Sequence, residues 1–184
     1  MKKPLIILSL VMICFFPVRS QTNNQTNYQS AIGLRLGTGY SDLISASYKT
    51  FLSNGPAALE LDLGVKPAYN YYPGGLGTTY NTNITIMSFS ASYQYHIPVQ
   101  AVPGLQWFVG GGILLTNSFS ENSDYSGFGF GLFPTGGMDY KFGNIPLDVS
   151  VDIRPTFRIT SPKYYNYENF YFPDFGFSAR YTIH

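Results

Sequence analysis

The sequence predicts an all-β fold, an eight-stranded antiparallel up-and-down β-barrel in which each wall strand lies beside the next one along the chain. Three observations predict it. Apolar and polar residues alternate with period two through most of the chain after residue 29, as they do in strands with two unlike faces. Helical periodicity does not compete with this pattern. Clusters of glycine, proline, asparagine and serine separate the alternating runs, which is typical of turns.

Eight runs show the alternation, and they define the predicted strands. They lie at 30–38, 44–51, 57–66, 85–96, 105–115, 128–142, 147–155 and 172–183. The connections at 52–56, 97–104 and 143–146 are short. The intervening connections are mostly long, at 67–83, 116–127 and 156–171, and only the first of them, at 39–42, is short. Short turns at one end and long loops at the other are typical of transmembrane barrels. An even strand count places both termini at the short-turn end.

The first twenty residues predict a secretory signal peptide. Two lysines precede an apolar run at 5–16, and Val18 and Ser20 occupy the −3 and −1 positions of a cleavage site before Gln21. The apolar run is too short for a membrane-spanning helix. A buried N-terminal helix is the alternative interpretation. The polar residues 21–29 then predict a flexible tail before the barrel at 30–184.

The composition of the chain without this signal excludes several classes of protein. Eight basic residues against ten acidic ones give a formal charge of −2, which does not suggest a nucleic-acid partner. Cys14 lies in the signal, so no disulfide or thiolate metal site is expected. Lipidation at Cys14 is an alternative, although residues 11–13 lack the small residue that such processing prefers. No later apolar run reaches 18 residues, so no transmembrane helix is predicted.

Charged residues inside the predicted strands all share the polar face. Six are cations and five are anions, and the apolar face carries none. They are Arg35, Lys49, Glu60, Asp62, Lys66, Asp139, Lys141, Asp148, Asp152, Arg154 and Arg180. A soluble barrel or sandwich would turn this polar face to water, whereas a membrane barrel would turn it to the lumen.

Three features favour the membrane barrel. The polar face is rich in glycine and serine, which suit the narrow lumen of an eight-stranded barrel. Aromatic residues such as Tyr93, Trp107 and Tyr181 gather toward strand ends on the apolar face, as in interfacial girdles. Strands of roughly 9–11 residues match the length that a tilted strand needs to cross the hydrocarbon. The predicted fold is therefore a transmembrane β-barrel.

Charges in a narrow lumen are tolerated when they are paired, so the near balance of charge predicts a structural network. Its predicted members are Arg35, Lys49, Glu60, Asp62, Asp139, Lys141, Asp148, Asp152, Arg154 and Arg180. If Phe142 pairs with Leu147, Lys141 stands opposite Asp148. Such a network would plug the barrel.

The segments "AIGLRLG", "LELDLGVKP", "GLQWFVGGG" and "IPLDVSVDIRP", after a signal peptide, resemble the small outer-membrane β-barrel proteins of Gram-negative bacteria, the OmpA/OmpX-like superfamily. This resemblance implies an outer-membrane location, a lipid environment and the barrel assembly machinery as a partner during biogenesis. It is specific for architecture and weak for function. We expect a monomer.

Residues for catalysis are scarce, and no enzyme is predicted. The two histidines, His96 and His184, lie at a strand end and at the terminus, and no serine motif accompanies either. No group of ligands has metal-binding spacing, and no cofactor is expected. A lipid-modifying barrel enzyme is the weakest alternative, after a narrow channel for small solutes.

Two tyrosine clusters in the long predicted loops are the candidate ligand-binding residues. They are Tyr69, Tyr71 and Tyr72, and Tyr164, Tyr165 and Tyr167. Tyrosine supplies a large contact area with a polar tip, so these loops predict a surface-binding or adhesive role toward an unidentified extracellular ligand. An interfacial girdle is the competing interpretation. The predicted function is a structural or surface-binding outer-membrane barrel.

Overall fold

The computed structural model describes residues 28–39, 41–53, 55–73, 79–121, 123–161, 170–172 and 174–183. The predicted signal peptide at 1–20 and the tail as far as residue 27 lie outside these ranges. Tyr28 and Gln29, the last two residues of the predicted tail, are placed against the barrel. Tyr28 is buried, and the backbone of Gln29 bonds to Ile183 and Phe51.

The described chain is almost entirely strand. The strands are β1 Ser30–Gly37, β2 Ile44–Phe51, β3 Ala57–Pro73, β4 Thr79–Pro98, β5 Leu105–Ser120, β6 Gly127–Lys141, β7 Leu147–Ile153, β8 Thr156–Thr160, β9 Phe170–Tyr171 and β10 Phe175–Ile183, with a 3-10 turn at Ser123–Tyr125. Within the described ranges, no helix reaches the length and hydropathy needed to cross a membrane.

The sheet closes into a barrel of eight wall positions, which confirms the predicted fold class. Each strand from β1 to β7 pairs antiparallel with the next, and β10 pairs with both β7 and β1. β8 pairs with β6, as β7 does, so β7 and β8 form one wall strand that is interrupted at Arg154 and Pro155. The short strand β9 pairs with β8. Ser30 lies opposite Ile183, which places both ends of the barrel together.

The β3–β4 hairpin is much longer than predicted, because the predicted loop at 67–83 is mostly strand. β3 continues to Pro73 and pairs with β4 from Thr79 onward. The two prolines made this segment resemble a loop. Even-numbered β3 residues bond toward β4, since the His96 N–H donates to the Pro56 carbonyl oxygen opposite it. The backbone nitrogens of Pro67 and Pro73 therefore point toward β2, where pairing ends at Val65. For this reason neither proline removes a ladder hydrogen bond.

The strand faces are inverted relative to a soluble barrel. Arg35, Lys49, Arg154 and Arg180 point inward and are at most 4% exposed. Large apolar side chains point outward and are about half exposed. Members of this outer belt include Ile32, Leu34, Leu36, Leu63, Met87, Val109, Val151 and Phe177. The predicted parity of the strands is therefore the parity that the structure has.

The turn before β5 depends on one glycine. Gly104 has φ of 88°, a left-handed conformation that L side chains rarely adopt, and an added Cβ would overlap the carbonyl oxygen of Lys141. We expect Gly104→Ala to lower the free energy of unfolding by at least about 1–2 kcal/mol, measured by urea unfolding in lipid vesicles. Gly143→Ala is the control, because a Cβ there meets nothing within 4 Å. Equal stability of the two variants would contradict this account of the turn.

Candidate functional site

The lumen is the candidate site, and its ion pairs form successive layers along the barrel. Arg35 lies in the layer nearest the long connections. Its Nη1 is 2.5 Å from Asp42 Oδ2, and its Nη2 is 2.7 Å from Asp152 Oδ1. The Nε also donates to Asp152 at 3.2 Å, so the contact with this carboxylate is bidentate. Asp174 Oδ1 lies 3.8 Å from Nη2. One guanidinium thus faces three carboxylates.

Arg154 forms the next layer and crosses the lumen to β3. Its Nη1 is 2.6 Å from Asp62 Oδ2, and its Nη2 forms an ion pair with Glu60. Its Nε lies 2.9 Å from Asp152 Oδ1, and its guanidinium sits 5.5 Å from the centre of the Phe133 ring. This arginine lies at the break between β7 and β8, next to Pro155, which has no N–H and cannot extend the ladder.

Arg180 forms the third layer and is fully buried. Its Nη2 is 2.9 Å from Glu60 Oε2, and its Nη1 is 3.5 Å from Asp148 Oδ2. The hydroxyls of Ser47 and Ser150 each accept a hydrogen bond of 2.9 Å from this side chain. Glu60 is therefore shared by two arginines on different strands.

The end of the lumen near the termini is filled by an aromatic layer of Tyr28, Phe51, His96 and Phe108. The ring centres of Tyr28 and Phe51 are 5.1 Å apart, and His96 lies 4.9 Å from Phe51 and 5.3 Å from Phe108. Lys49 lies beside this layer, 2.9 Å from Asp139 Oδ2.

Tyr28 links the aromatic layer to the charges. Its hydroxyl donates to Asp139 at 3.4 Å. Burial, followed by the nearby carboxylates of Asp139 and Asp148, raises the pKa of Tyr28 well above its ordinary value. The phenol therefore remains a protonated hydrogen-bond donor at the mouth of the lumen.

Two predictions about the charges need correction. Lys141 does stand opposite Asp148 in the register, but its Nζ donates to the carbonyl oxygens of Phe142 and Ile145 at 2.5 and 3.0 Å. It ties the turn and is not placed in the ion-pair network. Two carboxylates outside the predicted strands, Asp42 and Asp174, join instead. The network in the described lumen thus has four cations and seven carboxylates, in place of the predicted near balance.

The predicted binding tyrosines are only partly described. Tyr69, Tyr71 and Tyr72 lie in β3, where the backbone pairs them with Asn83, Asn81 and Tyr80, so the predicted loop assignment is wrong for this cluster. Tyr164, Tyr165 and Tyr167 lie outside the described residues.

The histidine that is described has a packing role in the lumen. His96 is 2% exposed between two phenylalanines, and its Nε2 lies 3.3 Å from Gln94 Oε1. His184 lies outside the described residues. Across the described ranges, no three histidine, cysteine, aspartate or glutamate side chains are grouped so as to hold a metal ion.

Comparison with known proteins finds one distant structural likeness, which carries no argument about function. No family model and no curated protein matches the chain. Among solved structures, the chain is similar to Neisserial surface protein A, with 14% identity and a TM-score of 0.44 over 84% of this chain and 95% of that one. The assignment of a closed antiparallel barrel rests on the strand register of the chain itself.

The ion pairs make a direct prediction about stability. Replacing Arg180 by Met would leave Asp148 without its ion-pair partner in a closed lumen and would remove one of the two arginines that share Glu60. We expect a loss of about 3–5 kcal/mol in the free energy of unfolding, measured by urea titration in lipid vesicles. Lys141→Met is the matched control, because this lysine binds turn carbonyls, and its loss should be below about 1 kcal/mol. Similar losses in both variants would refute the distinction.

Proposed function

We propose that this chain is an outer-membrane β-barrel protein with a closed, charge-paired lumen and a structural or surface-binding role. The observation that carries the proposal is the inversion of the two faces. Buried arginine, lysine, aspartate and glutamate fill the interior, while half-exposed leucine, isoleucine, valine and phenylalanine cover the exterior. Soluble monomers rarely expose so continuous an apolar surface, whereas a lipid bilayer is a favourable environment for it.

Aromatic side chains at both ends of the outer belt support the membrane assignment. Toward the termini, exposed aromatic residues have polar atoms on their rings, and they include Tyr48, Tyr93, Trp107 and Tyr181. Toward the long connections, the aromatic residues whose side chains are described and exposed are phenylalanines, and they include Phe119, Phe128, Phe157, Phe170 and Phe172. Two such girdles flank the apolar band of outer-membrane barrels.

Export and location are testable together. We expect fractionation to recover the protein from the outer membrane, and mass spectrometry to find an N-terminus near Gln21. The folded barrel should migrate differently on gels when it is not heated, because a closed sheet has no free edge from which to unravel. Recovery from the soluble periplasm would refute the membrane proposal.

The outer belt gives a prediction that depends on depth. Leu34 is central in β1, is 54% exposed, and pairs with the small residues Ala46 and Ala179. We expect Leu34→Arg to destabilise the inserted barrel by about 2–4 kcal/mol, measured as urea unfolding from vesicles. Ile145→Arg, in an exposed turn, should cost less than about 1 kcal/mol. Equal costs would place both residues in the same environment and contradict the belt.

The surface-binding part of the proposal rests on the β3–β4 hairpin. Pairing between β2 and β3 ends at Val65, whereas β3 and β4 stay paired to Pro73 and Thr79. The hairpin therefore extends beyond the β1–β2 connection on the side away from the termini. A projecting, backbone-paired hairpin that carries three tyrosine positions is suited to contact molecules outside the cell.

Replacing Tyr69, Tyr71 and Tyr72 by Ser tests this role. We expect the barrel to keep its unheated gel mobility, while cells that express it lose adhesion to a coated surface to which cells with the unaltered barrel adhere. The control is the double variant Tyr93→Ser, Tyr181→Ser. These two tyrosines belong to the girdle, so their replacement should lower heat stability without changing adhesion. If the triple variant loses heat stability and keeps adhesion, the hairpin tyrosines have an interfacial role.

Passage of solutes through the lumen is less well supported than a structural role. Three arginines bridge wall strands that are not neighbours in the sheet, and an aromatic layer fills the end near the termini. Catalysis also lacks support, because His96 is enclosed by aromatic rings and the Gln94 amide. Purified barrel in planar bilayers should show no sustained conductance at neutral pH, and a stable open channel would overturn the closed-lumen proposal.

A further inference from the structure

The chain just before β1 turns into the lumen instead of continuing the strand. Even-numbered residues of β1, such as Ile32, face outward, and odd-numbered ones, such as Ala31, face inward. If the strand continued, Tyr28 would therefore face outward, as the girdle tyrosines do. The chain bends at Gln29 instead, and Tyr28 is only 5% exposed among side chains of the inner face. The tail thus crosses the end of the barrel near the termini.

Packing and one hydrogen bond hold the Tyr28 side chain in the lumen. It shares a buried cluster with Ala31, Phe51 and Ala58, and its ring lies edge-on to the ring of Phe51, with the centres 5.1 Å apart. Its hydroxyl donates to Asp139 Oδ2 at 3.4 Å. The side chain therefore extends from the first residues of the wall to the buried charges, and it covers those charges from this end.

The strand wall closes without Tyr28. Pairing between β1 and β10 begins with Ser30 opposite Ile183, and β1 pairs with β2 from the same residue. Gln29 adds two backbone bonds, because its N–H donates to Ile183 and its carbonyl oxygen accepts from Phe51. Among the described residues, the backbone of Tyr28 has no part in this ladder. Rotation of the backbone before Gln29 can therefore withdraw Tyr28 while the wall stays paired.

Withdrawal of Tyr28 would uncover a charged group with more anions than cations. Lys49 lies 2.9 Å from Asp139 Oδ2, and Arg180 pairs with Glu60 and Asp148, so two cations meet three carboxylates. Within the described residues, Oδ1 of Asp139 and Oδ1 of Asp148 have no hydrogen-bond donor. Buried acceptors without donors are rare and costly. Water and small cations that reach this group would therefore be stabilised there.

We propose that Tyr28 is a displaceable stopper with which the N-terminal tail closes the lumen of its own barrel. When this side chain leaves, the end near the termini opens to small cations. The rings of His96 and Phe108 stay in place and keep the opening narrow, and the arginine layers keep the other half of the lumen closed. The inference rests on the closed lumen of the proposed function and does not depend on surface binding.

The reactivity of a buried thiol in the folded barrel in detergent micelles tests the proposal. The reporter is Ala58→Cys beside Tyr28, in a chain whose one cysteine is removed by Cys14→Ser. With Tyr28 in place, the reporter should react with methanethiosulfonate ethylammonium at least about a hundredfold more slowly than exposed Ile145→Cys, because apolar burial keeps a thiol protonated. Tyr28→Ala should speed this reaction at least about tenfold, since it admits water and the cationic reagent.

Three controls separate a stopper from a general loss of packing. Tyr28→Phe keeps the ring and should leave the reporter slow. Tyr125→Ala is the matched control, because it removes another buried tyrosine, at the opposite end, where the side chain packs with Ile84 and Ile86, and the rate should not change. The anionic ethylsulfonate reagent should gain less from Tyr28→Ala than the cationic one, when both rates are divided by those at exposed Ile145→Cys.

Unheated gel mobility identifies the folded barrel in each variant, and Ala31→Cys, in the same cluster, replaces the reporter where Ala58→Cys does not fold. The proposal is overturned if the reporter reacts as fast as exposed Ile145→Cys while Tyr28 is present, a result that needs no change of the tail. It is also overturned if folded Tyr28→Ala leaves the rate unchanged, if Tyr28→Phe gives the same increase, or if the anionic reagent gains as much as the cationic one.

Discussion

The structure depends on the requirement that charges inside a closed eight-stranded barrel satisfy one another. Such a lumen is only wide enough for side chains, so bulk water cannot solvate them. Arginine meets the requirement because its planar group has five donors that reach more than one carboxylate. Arg35 joins β1 to β7 through Asp152, and Arg154 and Arg180 converge on Glu60 of β3. These contacts hold wall strands that are distant in sequence, so barrel closure and charge pairing stabilise each other.

The small residues of the inner face follow from the volume that these arginines occupy. A Cβ at Gly176 would overlap the guanidinium of Arg35, and one at Gly64 would lie 2.6 Å from Ser88 Oγ. Glycine and serine therefore leave space for a few long side chains that cross the lumen. The charged side chains of the wall strands thus lie inside, and the outer face is apolar. An apolar face of this kind is favoured by a nonaqueous surrounding.

The two faces of each strand could be predicted because the alternation of apolar and polar residues is a local property of the sequence. A register shift of one residue would exchange the two faces completely, so the pattern specifies them strongly. Membership of the ion-pair network could not, since it depends on where connections fold back. Asp42 and Asp174 lie outside the predicted strands, and only the tertiary structure brings both to Arg35. Lys141 illustrates the converse, because its predicted register is correct while its side chain reaches turn carbonyls. The length of β3 was not predicted, because its prolines are typical of a loop. A proline interrupts a strand only on the edge where a neighbouring strand would have accepted its N–H bond.

The two ends of the lumen differ in the side chains that fill them. Near the termini, the rings of Tyr28, Phe51, His96 and Phe108 pack against one another, and such dense packing leaves little room for a solute. At the other end, Asp42, Asp62 and Asp174 lie beside the β1–β2 connection, and within the described residues one oxygen of Asp62 and one of Asp174 have no hydrogen-bond donor. The aromatic layer opposes passage of a solute through the barrel. The geometry therefore favours a closed lumen over transport across it.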